Sequence, residues 1–218
     1  MNDGPRDTPA DPAAPATSGA PACPIAPASP DAARGAAGAP AAQSTTAQRP
    51  VRLFFALWPD AATVRALSAW SAQAQAVCGG RAMRPETLHL TLAFLGQVPA
   101  ELVEPLTRLT LRRPFAPGSL RLDRYGVFPR QRIVWAGPGD GAPALAAEVD
   151  ALWRDLGALG DLRPDHPFRP HVTLLRNADT AMPPPPPPPA LDWHYERCML
   201  VQSAQDGQSR YLVKAASR

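Results

Sequence analysis

The sequence predicts an α+β fold in which antiparallel sheets line a central cleft and helices pack outside them. The first observation behind this is order: runs of strand and helix period succeed one another as βαβ, αββ, αβ, ββ. The second is a repeated word. His89-Leu90-Thr91-Leu92 and His171-Val172-Thr173-Leu174 stand 82 residues apart, a spacing that suits two related lobes, each giving one strand to a common groove. Third, Ala, Pro, Ser, Thr and Gly dominate residues 1–50, with no aromatic side chain and Ile25 as the one branched aliphatic. Such a segment buries too little apolar area to offset its ordering entropy, so a disordered tail is expected, with the folded domain over residues 51–218.

The domain opens with Val51 to Trp58, a short apolar run ended by Pro59 and read as a buried strand. Asp60 is placed to cap a helix over 61–77, whose Val64, Leu67, Trp70, Ala74 and Val77 recur at helical spacing; Gly79-Gly80 ends it. A turn at Pro85 leads into the first His-x-Thr strand, Leu88 to Gly96. A second helix follows over about 100–112, in which Pro105 either sits in a late-starting first turn or kinks the helix.

Ser119 to Phe128 and Arg132 to Gly137 read as two strands joined around Pro129. Leu145, Val149, Leu152 and Leu156 mark a third helix over about 142–158. After the second His-x-Thr strand comes an unbroken proline run, Pro183 to Pro189, expected to be extended and stiff. Tyr195 to Ser203 and Ser209 to Ala215 read as a closing hairpin that turns at Asp206-Gly207.

In a strand, alternate side chains face opposite ways. His89 and Thr91 therefore share one face, as do His171 and Thr173, and the apolar residues between them face the core. With only four His in the chain, two chance His-x-Thr words are expected about 0.02 times. The pair is informative where either copy alone is weak.

Composition narrows the chemistry less. The chain carries a formal +3; its first 50 residues hold three Arg and four Asp, leaving +4 on the rest. That balance suits an anionic substrate without demanding one. Cys23, Cys78 and Cys198 form no C-x-x-C and leave an odd count, which points away from a disulfide framework or zinc site and toward a reducing cytoplasm. No basic-then-apolar leader opens the sequence, and no apolar run approaches the roughly 18 residues of a membrane span. His89 and His171 lack a third metal ligand at any recognisable spacing; His166 and His194 read as structural or surface residues, and Phe54, Phe55, Trp58 and Phe94 as core.

The paired tetrads resemble those of the 2H phosphoesterase superfamily. The words around them (Arg52 to Pro59, His89 to Gly96, Gly126 to Arg130, and Phe168 to Leu174) are similar to its bacterial RNA 2′,3′-cyclic phosphodiesterase branch, also named 2′-5′ RNA ligase, over about residues 51–215. The resemblance implies a two-lobed, pseudo-twofold fold and hydrolysis of a 2′,3′-cyclic phosphate to a 2′-phosphate. It implies His89 as proton donor, His171 as proton acceptor, and Thr91, Thr173 and Arg176 as substrate-binding groups. Imidazole titrates near pH 6.5, so one neutral and one protonated ring serve as base and acid together, with hydroxyls and a fixed cation holding the phosphoryl oxygens. On this reading the enzyme acts without metal or cofactor, on RNA ends, as a cytoplasmic monomer. The alternatives are 2′-5′ RNA ligation in the same groove, or a non-catalytic RNA-binding protein with a relic cleft.

Overall fold

The computed structural model describes residues 49–186, 188–203 and 210–218. The tail to residue 48 and the Asp206-Gly207 turn lie outside these. Strand β1 is Val51–Leu57 and helix α1 is Ala61–Cys78, with Asp60 as its N-cap. The Asp60 carboxylate accepts the Thr63 amide at 2.7 Å, and Gly79 ends the helix at φ 59°. Strand β2 is the pair Arg81–Ala82, followed by a 3₁₀ turn at Pro85–Thr87 and by β3, Leu90–Val98. Helix α2, Val103–Arg112, starts late with Pro105 in its first turn, where a missing amide hydrogen costs no helical bond.

Three more strands follow: β4 Gly118–Leu122, β5 Arg124–Phe128 and β6 Ile133–Gly137. Helix α3 spans Pro143–Gly157, and β7 is Val172–Arg176. The described chain closes with β8 Leu191–Tyr195, β9 Met199–Ser203 and β10 Tyr211–Ala216. Pro183–Pro186, Pro188 and Pro189 lie in neither helix nor strand.

The main sheet runs β10-β9-β1-β3-β7-β6-β5, with β2 on the other side of β7, and every pairing in it is antiparallel. It divides into two four-stranded halves. β3 of the first half meets β7 of the second through one Cα pair, Leu90 with Val172. Helix α2 packs on β9 and β10, and α1 on β7, β2 and β6, so each half has its own helix. Helix α3 packs against β3. Leu53, Phe55, Leu57, Leu67, Leu90, Leu152, Val172 and Leu174 all lie in the continuous core beneath the sheet.

Two expectations need correction. The strand predicted from Ser119 to Phe128 is two strands in different sheets: β4 pairs with β8, while β5 pairs with β6. Asp123 sits at the break, its amide turned to the Gly137 carbonyl at 3.2 Å. The predicted strand from Tyr195 to Ser203 is likewise broken, because Tyr195 ends β8 and the next strand starts at Met199. Strand β8 had a readable signal: Leu191, Trp193 and Tyr195 alternate with Asp192 and His194, and the odd members face inward.

Candidate active site

The two tetrad histidines sit one residue ahead of β3 and β7, and the backbone holds them in the same way. Nδ1 of His89 lies 2.7 Å from the carbonyl of Thr87, and Nδ1 of His171 lies 2.7 Å from the carbonyl of Arg169. A carbonyl only accepts, so each Nδ1 carries the hydrogen, and this assigns the tautomer. Each Nε2 is then a lone pair when the ring is neutral and a donor when it is protonated. Thr87 is itself fixed, since its hydroxyl donates to the Arg84 carbonyl at 2.7 Å within the 3₁₀ turn.

Aromatic rings wall both imidazoles. Trp58 stacks on His89 (centroids 5.1 Å, planes 14° apart), with Phe54 at 5.1 Å and the edge of Tyr211 at 5.2 Å. Phe128 meets His171 edge-on at 5.0 Å, and Trp135 lies 6.1 Å away. Burial among these rings disfavours the charged form. It pulls His89 down to about 4, with lesser contributions from the charges of Arg176 and His171, against the bond to Thr87. His171 is lowered too, first by burial and then by Arg169 and Arg176, against its own carbonyl bond. Both shifts favour the neutral ring at neutral pH.

The threonines and Arg176 reach this cleft by a device that plain alternation does not show. Ala56 pairs with Thr91 and Phe55 with Ala93, so Leu92 is an extra residue opposite no partner on β1. On β7, Trp135 pairs with Thr173 and Val134 with Leu175, so Leu174 is extra in the same way. A β-bulge thus falls on the fourth residue of each tetrad, and a bulge reverses the facing of everything after it. Leu174 and Leu175 are consecutively buried, and Arg176 returns to the face of Thr173. The Leu174 carbonyl accepts both the Met83 amide at 2.8 Å and the Ser71 hydroxyl at 3.2 Å, which anchors this bulge to β2 and α1.

The single Leu90–Val172 pair brings the tetrads together. In an antiparallel pair the flanking residues oppose crosswise, so His89 stands across from Thr173 and His171 across from Thr91. A cavity of about 1010 Å³ opens from Thr91 and His171 and runs between Phe94, Phe128, Trp153 of α3 and the Pro164–Arg169 connection. His89, Thr173 and Arg176 stand outside its lining. His166 borders it and is exposed; His194 is exposed on β8, away from the tetrads.

Among the aromatics read as core, Phe54 and Phe55 are buried, Trp58 is half-buried against His89, and Phe94 is 44% exposed in the cavity. The last is a correction, and its cause is the bulge at Leu92, which turns Phe94 outward. Tyr211 and Trp135 are further site residues that no sequence word marked, and Phe128 lies in the Gly126–Arg130 word without having been given a role. Among the described residues no group of three or more His, Cys, Asp and Glu is arranged to hold a metal ion, and no helix is long and apolar enough to cross a membrane.

The profile of the LigT like Phosphoesterase family matches residues 57–135. The chain is 35% identical over 165 residues to the RNA 2′,3′-cyclic phosphodiesterase of Escherichia coli, covering 74% of this chain and 93% of that one. It is 33% identical over 165 residues to the Thermus thermophilus protein of the same name, covering 70% and 82%. Among solved structures, Escherichia coli LigT in complex with 3′-AMP superposes with a TM-score of 0.67 at 34% identity, over 77% of this chain and 97% of that one.

Proposed function

We propose that this chain, which belongs to the LigT-like phosphoesterase family, hydrolyses RNA 2′,3′-cyclic phosphate ends to 2′-phosphates by paired-histidine acid–base catalysis. One observation carries the proposal: two imidazoles, tethered through Nδ1 to the carbonyl two residues upstream, come together at the one pair that joins the halves of the sheet. That leaves two Nε2 atoms free to move protons, and relatives 35% and 33% identical to this chain are named RNA 2′,3′-cyclic phosphodiesterase.

In the proposed sequence His171 accepts a proton from water through Nε2 as the water attacks phosphorus. His89 delivers a proton from its Nε2 to the departing 3′-oxygen. Thr91, Thr173 and Arg176 donate hydrogen bonds to the non-bridging oxygens, whose charge grows in the transition state. Burial favours the neutral form of both rings, so the acid gains its proton as the substrate binds. The anionic cyclic phosphate favours that, because a nearby negative charge raises an imidazole pKa. After turnover His171 is protonated and His89 neutral, and exchange with solvent resets the pair. No step passes through a metal or cofactor. The substrate class is an RNA end, and we place the enzyme in the cytoplasm as a monomer.

The test is direct. The protein is incubated with an oligoribonucleotide ending in a 2′,3′-cyclic phosphate, and the products are resolved by end-group analysis. A 2′-phosphate end is the expected product. A 3′-phosphate end would reverse which oxygen leaves, a joined 2′-5′ product would favour the ligase reading, and an unchanged end would favour a relic cleft.

A further inference from the structure

The two halves of the sheet correspond at the tetrads and differ across from the histidines. In the first half Ala56 pairs with Thr91 and Leu57 with Leu90, so the next residue, Trp58, stands across from His89. In the second half Trp135 pairs with Thr173 and Ala136 with Val172, so the next residue, Gly137, stands across from His171. Trp58 and Gly137 are therefore equivalent positions. One histidine faces an indole and the other faces no side chain. A Cβ at Gly137 would lie 2.7 Å from the Trp135 ring and 2.9 Å from the Pro170 carbonyl, so that position has no room for one.

The rings around the two imidazoles differ accordingly. Trp58 lies 14° from parallel to His89 with centroids 5.1 Å apart, a near-parallel stack. His171 meets Phe128 at 87° and Trp135 at 59°, and among the described residues no ring lies parallel to it. An indole face attracts a cation within about 6 Å of its centroid, and the attraction grows as water is removed. Among the described residues no carboxylate pairs with either tetrad histidine. Arg176 of β7 and His171 act on a protonated His89 as like charges, while the Thr87 carbonyl supports it. Phe54 of β1 and the edge of Tyr211 of β10 complete its surroundings. The Trp58 face is thus the one aromatic face laid parallel to either imidazole.

We propose that Trp58 is a positioning residue that makes His89 the proton-holding member of the pair, by presenting its indole face to the imidazolium. Burial opposes the charge on both rings, and the stack offsets part of that for His89 alone. The proton comes from solvent as the anionic substrate arrives, rests on Nε2 of His89, and leaves with the 3′-oxygen. His171, across from Gly137, has no such support and remains the acceptor. This rests on the phosphodiesterase reading above and names the residue that sorts acid from base in a groove built from two similar halves. Trp58 itself moves no proton.

The experiment replaces Trp58 in the full chain by 5-fluoro-, 5,7-difluoro- and 4,5,6,7-tetrafluorotryptophan through nonsense suppression. Fluorine keeps the shape of the ring and weakens its π-face in steps. Proton NMR follows the His89 and His171 midpoints, in the free protein and with saturating inorganic phosphate. The His89 midpoint should fall stepwise, by about 0.4–1.5 pH units over the series, while that of His171 stays fixed. Turnover of an oligoribonucleotide 2′,3′-cyclic phosphate at pH 8 should fall with it, by about 2–5-fold, because a smaller fraction of His89 carries the proton. The substrate with sulfur as its 3′ leaving atom needs little acid assistance and should be cleaved at one rate throughout. A His89 midpoint that does not move, a His171 midpoint that moves equally, or equal slowing of both substrates would overturn the proposal. A wild type that hydrolyses neither substrate would sink the phosphodiesterase reading instead, and the NMR series would still decide the role of the stack.

Discussion

Leu90 and Val172 are the one Cα pair between the strands that carry the two tetrads, and both side chains are fully buried. Everything proposed for the site follows from that contact. It sets His89 beside the other half's Thr173 and His171 beside Thr91, so the proposed set of groups draws on both halves.

The division of labour between the histidines is the first thing to measure. His89→Ala and His171→Ala should each cost on the order of 10²–10⁴ in turnover. The double variant should fall far short of the product, because the two act as a unit. A substrate whose 3′ leaving oxygen is replaced by sulfur needs little acid assistance. It should largely rescue His89→Ala and leave His171→Ala impaired. Rescue of His171→Ala would invert the roles.

Stability should respond to pH through the same rings. His89 falls from the ordinary 6.5 to about 4 in the fold, and His171 is also lowered. The unfolded chain therefore binds protons that the folded chain refuses as pH drops below 6.5. Stability is full above about 6.5 and is lost on acidification toward 4, by up to about 3 kcal/mol for His89. Urea midpoints at pH 7.5 and 4.5 should differ more in wild type than in His89→Gln. Inorganic phosphate in the cleft should raise the ring titrations followed by proton NMR; a His89 midpoint near 6.5 in the free protein would contradict the burial argument.

Gly126 has a role that its place in β5 conceals. A Cβ there would overlap the indole of Trp135, the ring that lies against His171. Gly126→Ala is expected to lose about 1–3 kcal/mol by overpacking. Below its melting transition its turnover should also fall, as the displaced indole shifts the imidazole. Unchanged stability in thermal or urea unfolding would show that the ring has room to retreat.

Chelation is a separate test of the chemistry. Because every proposed step is a proton transfer or a hydrogen bond from the chain's own residues, turnover should survive EDTA in full. Loss that one divalent ion restores would require a different mechanism.

The opening 49 residues can be tested by removal. Their composition predicts that a chain starting at Pro50 keeps its melting temperature and its turnover. A fall of many degrees would show that the segment packs on the domain.

Local chemistry made much of this protein readable from its sequence. Asp60 and Gly79 bracket α1 because a cap bond and a left-handed residue act within one turn of chain. The two His-x-Thr words are strands because their alternation is a property of neighbouring residues. What stayed hidden depends on partners distant in sequence. The split of the predicted 119–128 strand at Asp123 follows from β4 pairing with β8 and β5 with β6, a choice made about 70 residues further on for β8. The bulges at Leu92 and Leu174 exist only against β1 and β6, since an extra residue is defined by the strand opposite. For that reason the sequence alone placed Phe94 in the core and offered no ground for putting Arg176 on the face of Thr173. Tertiary pairing turned both into the cleft. It also decided the protonation of the histidines, because their low affinity for protons comes from rings on strands that only the fold brings near.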